Sequence, residues 1–288
     1  MPSTHSPSNQ ALSCNPSPRL SQGRTRAFAD KVAQWKTTLQ LSRLRNRLAI
    51  ERPGSLVRCR NYHVRIADGP TFCGLYEEIF INRIYHFEAQ RRDPLILDCG
   101  GNIGMSVLYF KDAYPAARII AFEPDPSIFP YLEDNVRRNR LDNVQLIRAA
   151  LANRNGNVSF YSDGKVGSFL AHCTDQDIPR GWQRFDVPCF RLRDYLVEPV
   201  DFLKMDIEGA EWEVLADSED RLRQVSEIVV EYHRLPRFRQ TLHKILELLS
   251  RNDYECLITN PTTNPGGLPP RLTDDTEHGL VVYARRID

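Results

Sequence analysis

Acidic side chains cluster where this sequence could use them chemically. In Asp201-Phe-Leu-Lys-Met-Asp206-Ile-Glu208-Gly-Ala-Glu211, Asp206 and Glu208 follow an apolar run and Glu211 opens the next segment. A second apolar run, Ile228-Val-Val230, leads into Glu231, with His233 two residues on. Carboxylates and an imidazole at such positions can take a proton from a reacting group or gather a hard divalent cation. Upstream stands Asp98-Cys-Gly100-Gly101-Asn102-Ile-Gly104. Glycines there let the backbone turn tightly and approach a ligand without a Cβ in the way. The spacing is neither the dinucleotide G-x-G-x-x-G nor a Walker loop, since no Gly-Lys-Ser/Thr follows. Glu123 lies about 20 residues further on, where a carboxylate accepts both hydroxyl hydrogens of a ribose in nucleoside-binding α/β folds. Turn and acid together point to a nucleoside-containing cofactor, leaving nicotinamide dinucleotide and S-adenosylmethionine both open.

The elements that must position these residues follow from hydrophobic patterning. Leu95–Cys99, Arg118–Phe122, Asn143–Ile147, Phe202–Met205 and Ile228–Val230 are short, mostly apolar runs, as buried parallel strands require. Helical patterns over Ile103–Ala113, Ser127–Arg138, Ala210–Leu215 and Phe238–Ser250 alternate with them. That alternation predicts a Rossmann-like α/β domain with a mostly parallel, doubly wound, seven-stranded sheet. Tyr254–Ile258 and Leu280–Ala284 are expected to form its antiparallel C-terminal edge, and Val158–Tyr161 and Phe185–Cys189 a β-like insertion. Ahead of the sheet, residues 55–66 read as a strand or hairpin, and Thr71–Glu88 as helix and loop with Tyr76, Phe80 and Tyr85. Helical spacing over 24–50 places many arginines opposite an apolar face, and the Ser/Pro/Asn-rich residues 1–25 are expected to be disordered. The predicted organisation is thus a tail (1–25), accessory helices and hairpin (26–90) and one catalytic domain (91–288).

Composition removes several alternatives. With 38 Lys+Arg against 37 Asp+Glu, the net charge of +1 lacks the basic footprint of a nucleic-acid binder. No run of about 18 apolar residues suggests a membrane span. Seven cysteines without a C-x-x-C pair read as thiols of a reducing compartment, so a cytoplasmic location is expected.

Three blocks carry a resemblance: Ile96-Leu-Asp-Cys-Gly-Gly-Asn-Ile-Gly104, Phe122-Glu-Pro124 and Leu203-Lys-Met-Asp-Ile-Glu-Gly-Ala-Glu211. In that order and spacing, with Val187-Pro, Arg191-Leu-Arg-Asp-Tyr-Leu196 and the strand ending in Glu231, the chain resembles the FkbM family of S-adenosylmethionine-dependent methyltransferases. The likeness spans about Thr71 to Glu231. Gly101 stands where the family commonly has alanine, and Arg193 where an acid is common before Asp194.

The resemblance implies methyl transfer to a hydroxyl of a sugar, a polyketide or another secondary metabolite. Asp98, Gly100, Asn102 and Gly104 would frame the methionine end of S-adenosylmethionine, Glu123 the ribose, and the Arg148-Ala-Ala150 stretch the adenine. An alcohol acceptor must also lose its proton, and Asp206, Glu208, Glu231 and His233 are the candidate bases, with Asp206 or His233 favoured. Asp206, Glu231 and His233 could instead hold Mg²⁺ for the acceptor oxygen, although a metal-free reaction is the preferred expectation. The expected partner is a small-molecule or glycan acceptor, not nucleic acid or membrane. An N-methyltransferase, a nicotinamide-dependent oxidoreductase lacking its fingerprint, and a non-catalytic scaffold are the rival readings.

Overall fold

The computed structural model describes residues 42–48, 51–163, 168–170, 181–234, 239–259 and 278–287. Residues 42–48 are helical. The expected disordered tail and most of the expected first helix lie outside the described residues. The chain divides into two compact units, 1–47 and 48–288.

The second unit opens with a hairpin, β1 (Leu56–Cys59) and β2 (Tyr62–Arg65), as the loose alternation predicts. Helix α1 (Gly69–Leu75) starts at Asp68, whose Oδ1 accepts the Thr71 N–H at 2.9 Å, with a proline in its first turn. It runs on into a π-helical turn over Tyr76–Ile81.

Then come β3 (Leu95–Cys99), α2 (Met105–Ala113), β4 (Arg118–Phe122), α3 (Phe129–Arg138) and β5 (Val144–Ile147). A four-stranded insertion comes next, made of β6 (Ala150–Leu151), β7 (Gly156–Ser162), β8 (Ser168–Leu170) and β9 (Gln183–Phe190). The main sheet resumes with β10 (Val200–Met205), α4 (Glu211–Asp217), β11 (Val225–Arg234), α5 (Leu242–Arg251), β12 (Tyr254–Thr259) and β13 (His278–Arg286).

The main sheet has seven strands in the order β12-β13-β11-β10-β3-β4-β5, parallel except where β13 pairs with β11 and β12. The expected doubly wound sheet with an antiparallel edge is therefore present. Most boundaries agree within two residues, and two elements differ by more. The last helix begins at Leu242, since Arg239 to Thr241 are not helical and residues 235–238 lie outside the described residues. Strand β11 continues through Glu231 and His233 to Arg234, because the long partner β13 supplies a ladder that far.

Period-two alternation sorts the strand residues onto two faces. Leu97, Cys99, Leu203, Met205, Ile228 and Val230 pack with Val214 and Leu215 of α4 and Ile245, Leu248 and Leu249 of α5. The opposite face carries Phe202, stacked on Phe87 at 4.5 Å and edge-on to Phe110 of α2 at 5.5 Å. Asp98, Lys204, Glu231 and His233 belong to that second face by the same alternation.

Chain order runs outward from β3 in one direction through β4 and β5, and from β10 in the other through β11. The crevice at the ends of β3 and β10 is thus the topological switch point, where such sheets bind ligands. Gly100 turns there at φ +91°, and a Cβ on it would meet the Asp206 carbonyl oxygen at 1.8 Å. Gly54 also has positive φ (+87°) but open space around it. Gly54→Ala should therefore cost only the left-handed penalty, about 1–2 kcal/mol. Gly100→Ala adds a backbone collision and should cost more than about 4 kcal/mol by urea unfolding.

Candidate active site

The floor of the crevice is an ion-paired network built by strand register. Lys204 and Asp98 are register partners on adjacent parallel strands. Both side chains are buried, with Lys204 Nζ 3.3 Å from Asp98 Oδ1 and 3.5 Å from Asp206 Oδ2. The same ammonium donates to the Gly100 carbonyl at 2.5 Å and lies 5.2 Å from the centre of the Tyr85 ring. Burial alone would lower the Lys204 pKa, but Asp98, Asp206 and Glu231 outweigh it and hold the side chain cationic. Asp98 also accepts the Ser106 hydroxyl of α2 on its other oxygen, at 2.5 Å. The end of β3, the start of α2 and the end of β10 are therefore tied at one point.

To one side lies a pocket lined by Gly100, Phe122, Glu123, Pro124, Ala149, Ala150, Leu151, Phe160, Asp206, Ile207 and Glu208. Glu123 is its buried carboxylate. It accepts the Asn102 N–H on Oε2 and the Asp125 N–H on Oε1, each at 2.8 Å. Desolvation pushes its pKa up to about 7, against the pull of those two N–H groups and of Lys204, and with the push of Asp125. Asn102 reaches Glu123 from a left-handed backbone at φ +46°. One carboxylate facing a wall of Ala149, Ala150, Leu151 and Phe160 suits a ligand with a hydroxylated ring joined to a flat apolar one.

Asp206 and Glu208 also face a second group of side chains. His233 Nδ1 stands 3.9 Å from Asp206 Oδ1, 3.8 Å from Glu208 Oε2 and 3.7 Å from Glu211 Oε1. These are ion-pair separations, longer than hydrogen bonds. Burial works against a charge on His233, but the three carboxylates prevail and raise its pKa well above the ordinary 6.5. Glu208 is held at φ +55°, beside Gly209 at φ +100°, in the turn between β10 and α4. Burial raises its pKa, with His233 opposing and Asp206 and Glu211 adding to the rise. Glu231 is raised by burial and by Asp206, while Lys204, the hydrogen bond donated by Tyr85 and His233 act the other way. The carboxyl of Glu78, from the π-helical turn, is likewise raised, by burial and then by Asp206.

Comparison with known proteins matches residues 98–256 to the methyltransferase FkbM domain. The chain belongs to the FkbM methyltransferase family. Similar relatives include Methyltransferase 1 of Beauveria bassiana, 32% identical over 166 residues that cover 51% of this chain and 67% of that one. The 2-O-methyltransferase NoeI of Sinorhizobium fredii is 31% identical over 178 residues, 56% of this chain and 72% of that one. The 31-O-demethyl-FK506 methyltransferase FkbM of Streptomyces tacrolimicus is 30% identical over 195 residues, 55% of this chain and 74% of that one.

In this FkbM-family chain the structure brings Gly100, Glu123 and Ala150 together as pocket lining. Asn102 contributes its N–H to Glu123, Gly104 caps α2 against Leu132, and Asp98 lies buried beneath the pocket on Lys204 and Ser106. Arg148 is exposed, whereas Ala149 and Ala150 after it are buried in the wall. Asp206, Glu208 and His233 converge, and Glu231 lies beside them on the same strand face. Sequence reasoning gives no role to Lys204, yet a lysine inside the buried run Phe-Leu-Lys-Met is itself a signal, because such a charge requires partners. Tyr85 and Glu211 carry no comparable signal: an aromatic before a strand reads as packing, and an acid in a first helical turn as a response to the macrodipole.

The Glu123 shift fixes a sign for stability. The folded chain binds a proton at Glu123 up to about pH 7, while the unfolded chain releases it near the ordinary carboxylate value. The folded state therefore holds more protons in that window, and stability falls as pH rises through it, by up to about 1.4 kcal/mol per pH unit. Glu123→Gln should flatten this part of the profile in urea titrations between pH 5 and 8. An unchanged slope would show that Glu123 ionises normally.

Proposed function

We propose that the chain transfers a methyl group from S-adenosylmethionine to a hydroxyl of a small metabolite or sugar. The observation that carries this reading is that Asp206 and Glu208 belong at once to the Glu123 pocket and to the cluster around His233. A donor bound in the first and an acceptor held by the second would meet at these two carboxylates. The pocket suits the donor: Glu123 would accept the ribose hydroxyls, Ala149, Ala150, Leu151 and Phe160 would lie against adenine, and Gly100 would let the methionine end approach the backbone. S-Adenosylmethionine, when bound, supplies an already activated methyl group on a sulfonium.

The chain's own part is alignment and proton transfer. Glu231 is the proton acceptor in this reading. Register places it beyond Val230, the partner of Met205, and therefore beside Asp206. The hydroxyl of Tyr85 donates to its Oε1 and fixes its position. Asp206, Glu208 and His233 then hold the acceptor oxygen. Oxygen as the acceptor atom is supported by relatives whose names specify O-methylation.

Calorimetry on the purified chain tests the cofactor: S-adenosylhomocysteine should bind at micromolar concentration and NAD should not. The reverse result would overturn the reading. Glu231→Gln should slow methyl transfer to a hydroxyl acceptor by about 10²–10⁴-fold while leaving S-adenosylhomocysteine affinity unchanged. A variant as fast as the parent would remove Glu231 from the proton transfer.

A further inference from the structure

The geometry points to a divalent-cation site formed by Asp206, Glu208 and His233, and we propose that a Mn²⁺-like ion is bound there to hold the acceptor oxygen. The inference rests on the methyl-transfer reading for its purpose but on separate observations for its existence.

One ligand atom from each of the three residues lies within 4.8 Å of the other two. Asp206 and Glu208 come from the turn after β10 and His233 from β11, so pairing of two distant segments brings the three together. His233 Nδ1 is shielded from solvent and has no hydrogen-bond partner among the described residues. It points at carboxylate oxygens standing 3.7–3.9 Å away. At those separations the carboxylates reach the nitrogen as charges and not as hydrogen-bond acceptors, and a shielded polar nitrogen without a hydrogen bond is costly. Donor atoms each about 2.1 Å from a common ion stand between about 3 and 4.2 Å from one another. The separations of His233 Nδ1 from the Asp206 and Glu208 oxygens, 3.9 and 3.8 Å, fall inside that range, so an ion would satisfy the nitrogen with small adjustments of the two carboxylates.

The surroundings favour a cation. Asp206, Glu208, Glu211 and Glu231 converge on this space, while the one ammonium beside them among the described residues, Lys204, is shared between Asp98, the Gly100 carbonyl and Asp206. A proton on His233 offsets a single charge, whereas a divalent ion offsets two and leaves the imidazole neutral as a ligand. The supporting parts are in place: Glu208 is aimed by a left-handed backbone at φ +55°, a strain of the kind stored at functional sites. Glu211 is oriented by the Gly209 N–H, which donates to its Oε1 at 2.9 Å. His233 faces Gly279 across the β11–β13 ladder, a partner that brings no side chain into the space.

The donor set selects among metals. Carboxylates suit Mg²⁺, Ca²⁺ and Mn²⁺, while imidazole suits first-row transition ions, so Mn²⁺ is a first-row ion compatible with a set of two carboxylates and one imidazole. Bound there, it would lie where the two carboxylates meet the cofactor pocket, and would lower the pKa of an acceptor hydroxyl whose proton then passes to Glu231.

The test uses the full chain, stripped with EDTA, desalted and titrated with MnCl₂ while the electron paramagnetic resonance signal of free Mn²⁺ is followed. Uptake of one equivalent is expected. Asp206→Asn and His233→Ala should each weaken it by about 100-fold, and the surface control Glu255→Gln should leave it unchanged. Glu208→Gln, nearly isosteric, is the variant least able to disturb folding, and urea unfolding followed by circular dichroism reports that each variant is folded. No Mn²⁺ uptake by a parent chain that binds S-adenosylhomocysteine would overturn the metal site and leave methyl transfer standing. Uptake that none of the three ligand substitutions weakens would also overturn it, by placing the ion elsewhere. Ligand-dependent uptake without S-adenosylhomocysteine binding would keep the site and remove the methyl-transfer reading.

Discussion

A single buried ammonium organises the working end of this molecule. Lys204 sits opposite Asp98 in the register of two parallel strands and reaches the Gly100 carbonyl, Asp206 and the ring of Tyr85. Burial works against the charge of the Asp98 carboxylate, and an unpaired lysine at that depth would be equally unfavourable. Removing one partner of such a group leaves an uncompensated charge, which typically costs about 3–5 kcal/mol. The arrangement does more than balance charge. Because one donor binds the glycine turn after β3 and the acid after β10, the two loops that meet at the switch point are held in a fixed relation.

From that fixed floor the crevice divides in two. Glu123, Ala150 and Phe160 make one half, with one carboxylate and an apolar wall; Glu208, His233 and Glu231 make the other, with charge in excess. Asp206 and Glu208 are the boundary. The proposed reaction, which joins a bulky nucleoside donor to a small polar acceptor, would use this asymmetry to recognise the donor by shape and the acceptor by its oxygen. The shared carboxylates Asp206 and Glu208 bring the two halves side by side.

Segments that precede the sheet in sequence take part in the same construction. Asn135 of α3 binds the backbone N–H of Arg65 through its Oδ1 and the Arg65 carbonyl through its Nδ2, at 2.6 and 3.0 Å, anchoring the hairpin. Phe87 stacks on Phe202 two residues ahead of Lys204, and Tyr85 donates to Glu231. Glu78 adds its carboxyl from the π-helical turn, a local distortion often found beside functional groups. The region from Leu48 onward is thus part of the body that carries the site, in keeping with the division of the chain at Arg47.

Much of this was legible in the sequence, since local rules govern it. Mostly apolar runs of three to five residues read as buried strands when helices alternate with them, so the doubly wound sheet follows from patterning. A glycine turn and an acid about 20 residues apart are the spacing expected of a nucleoside pocket, and in the structure Gly100 and Glu123 line one pocket. The family, too, is written in contiguous motifs. What one dimension could not supply is registry between distant segments. That Lys204 faces Asp98, that Tyr85 reaches Glu231, and that β11 runs on to set His233 opposite Asp206, Glu208 and Glu211 are all results of pairing between strands far apart in the chain. The sequence by itself determined which residues are charged and which strands are buried. Only the tertiary structure decided which charges meet, because burial makes unpaired charge too costly and the sheet register selects the partner.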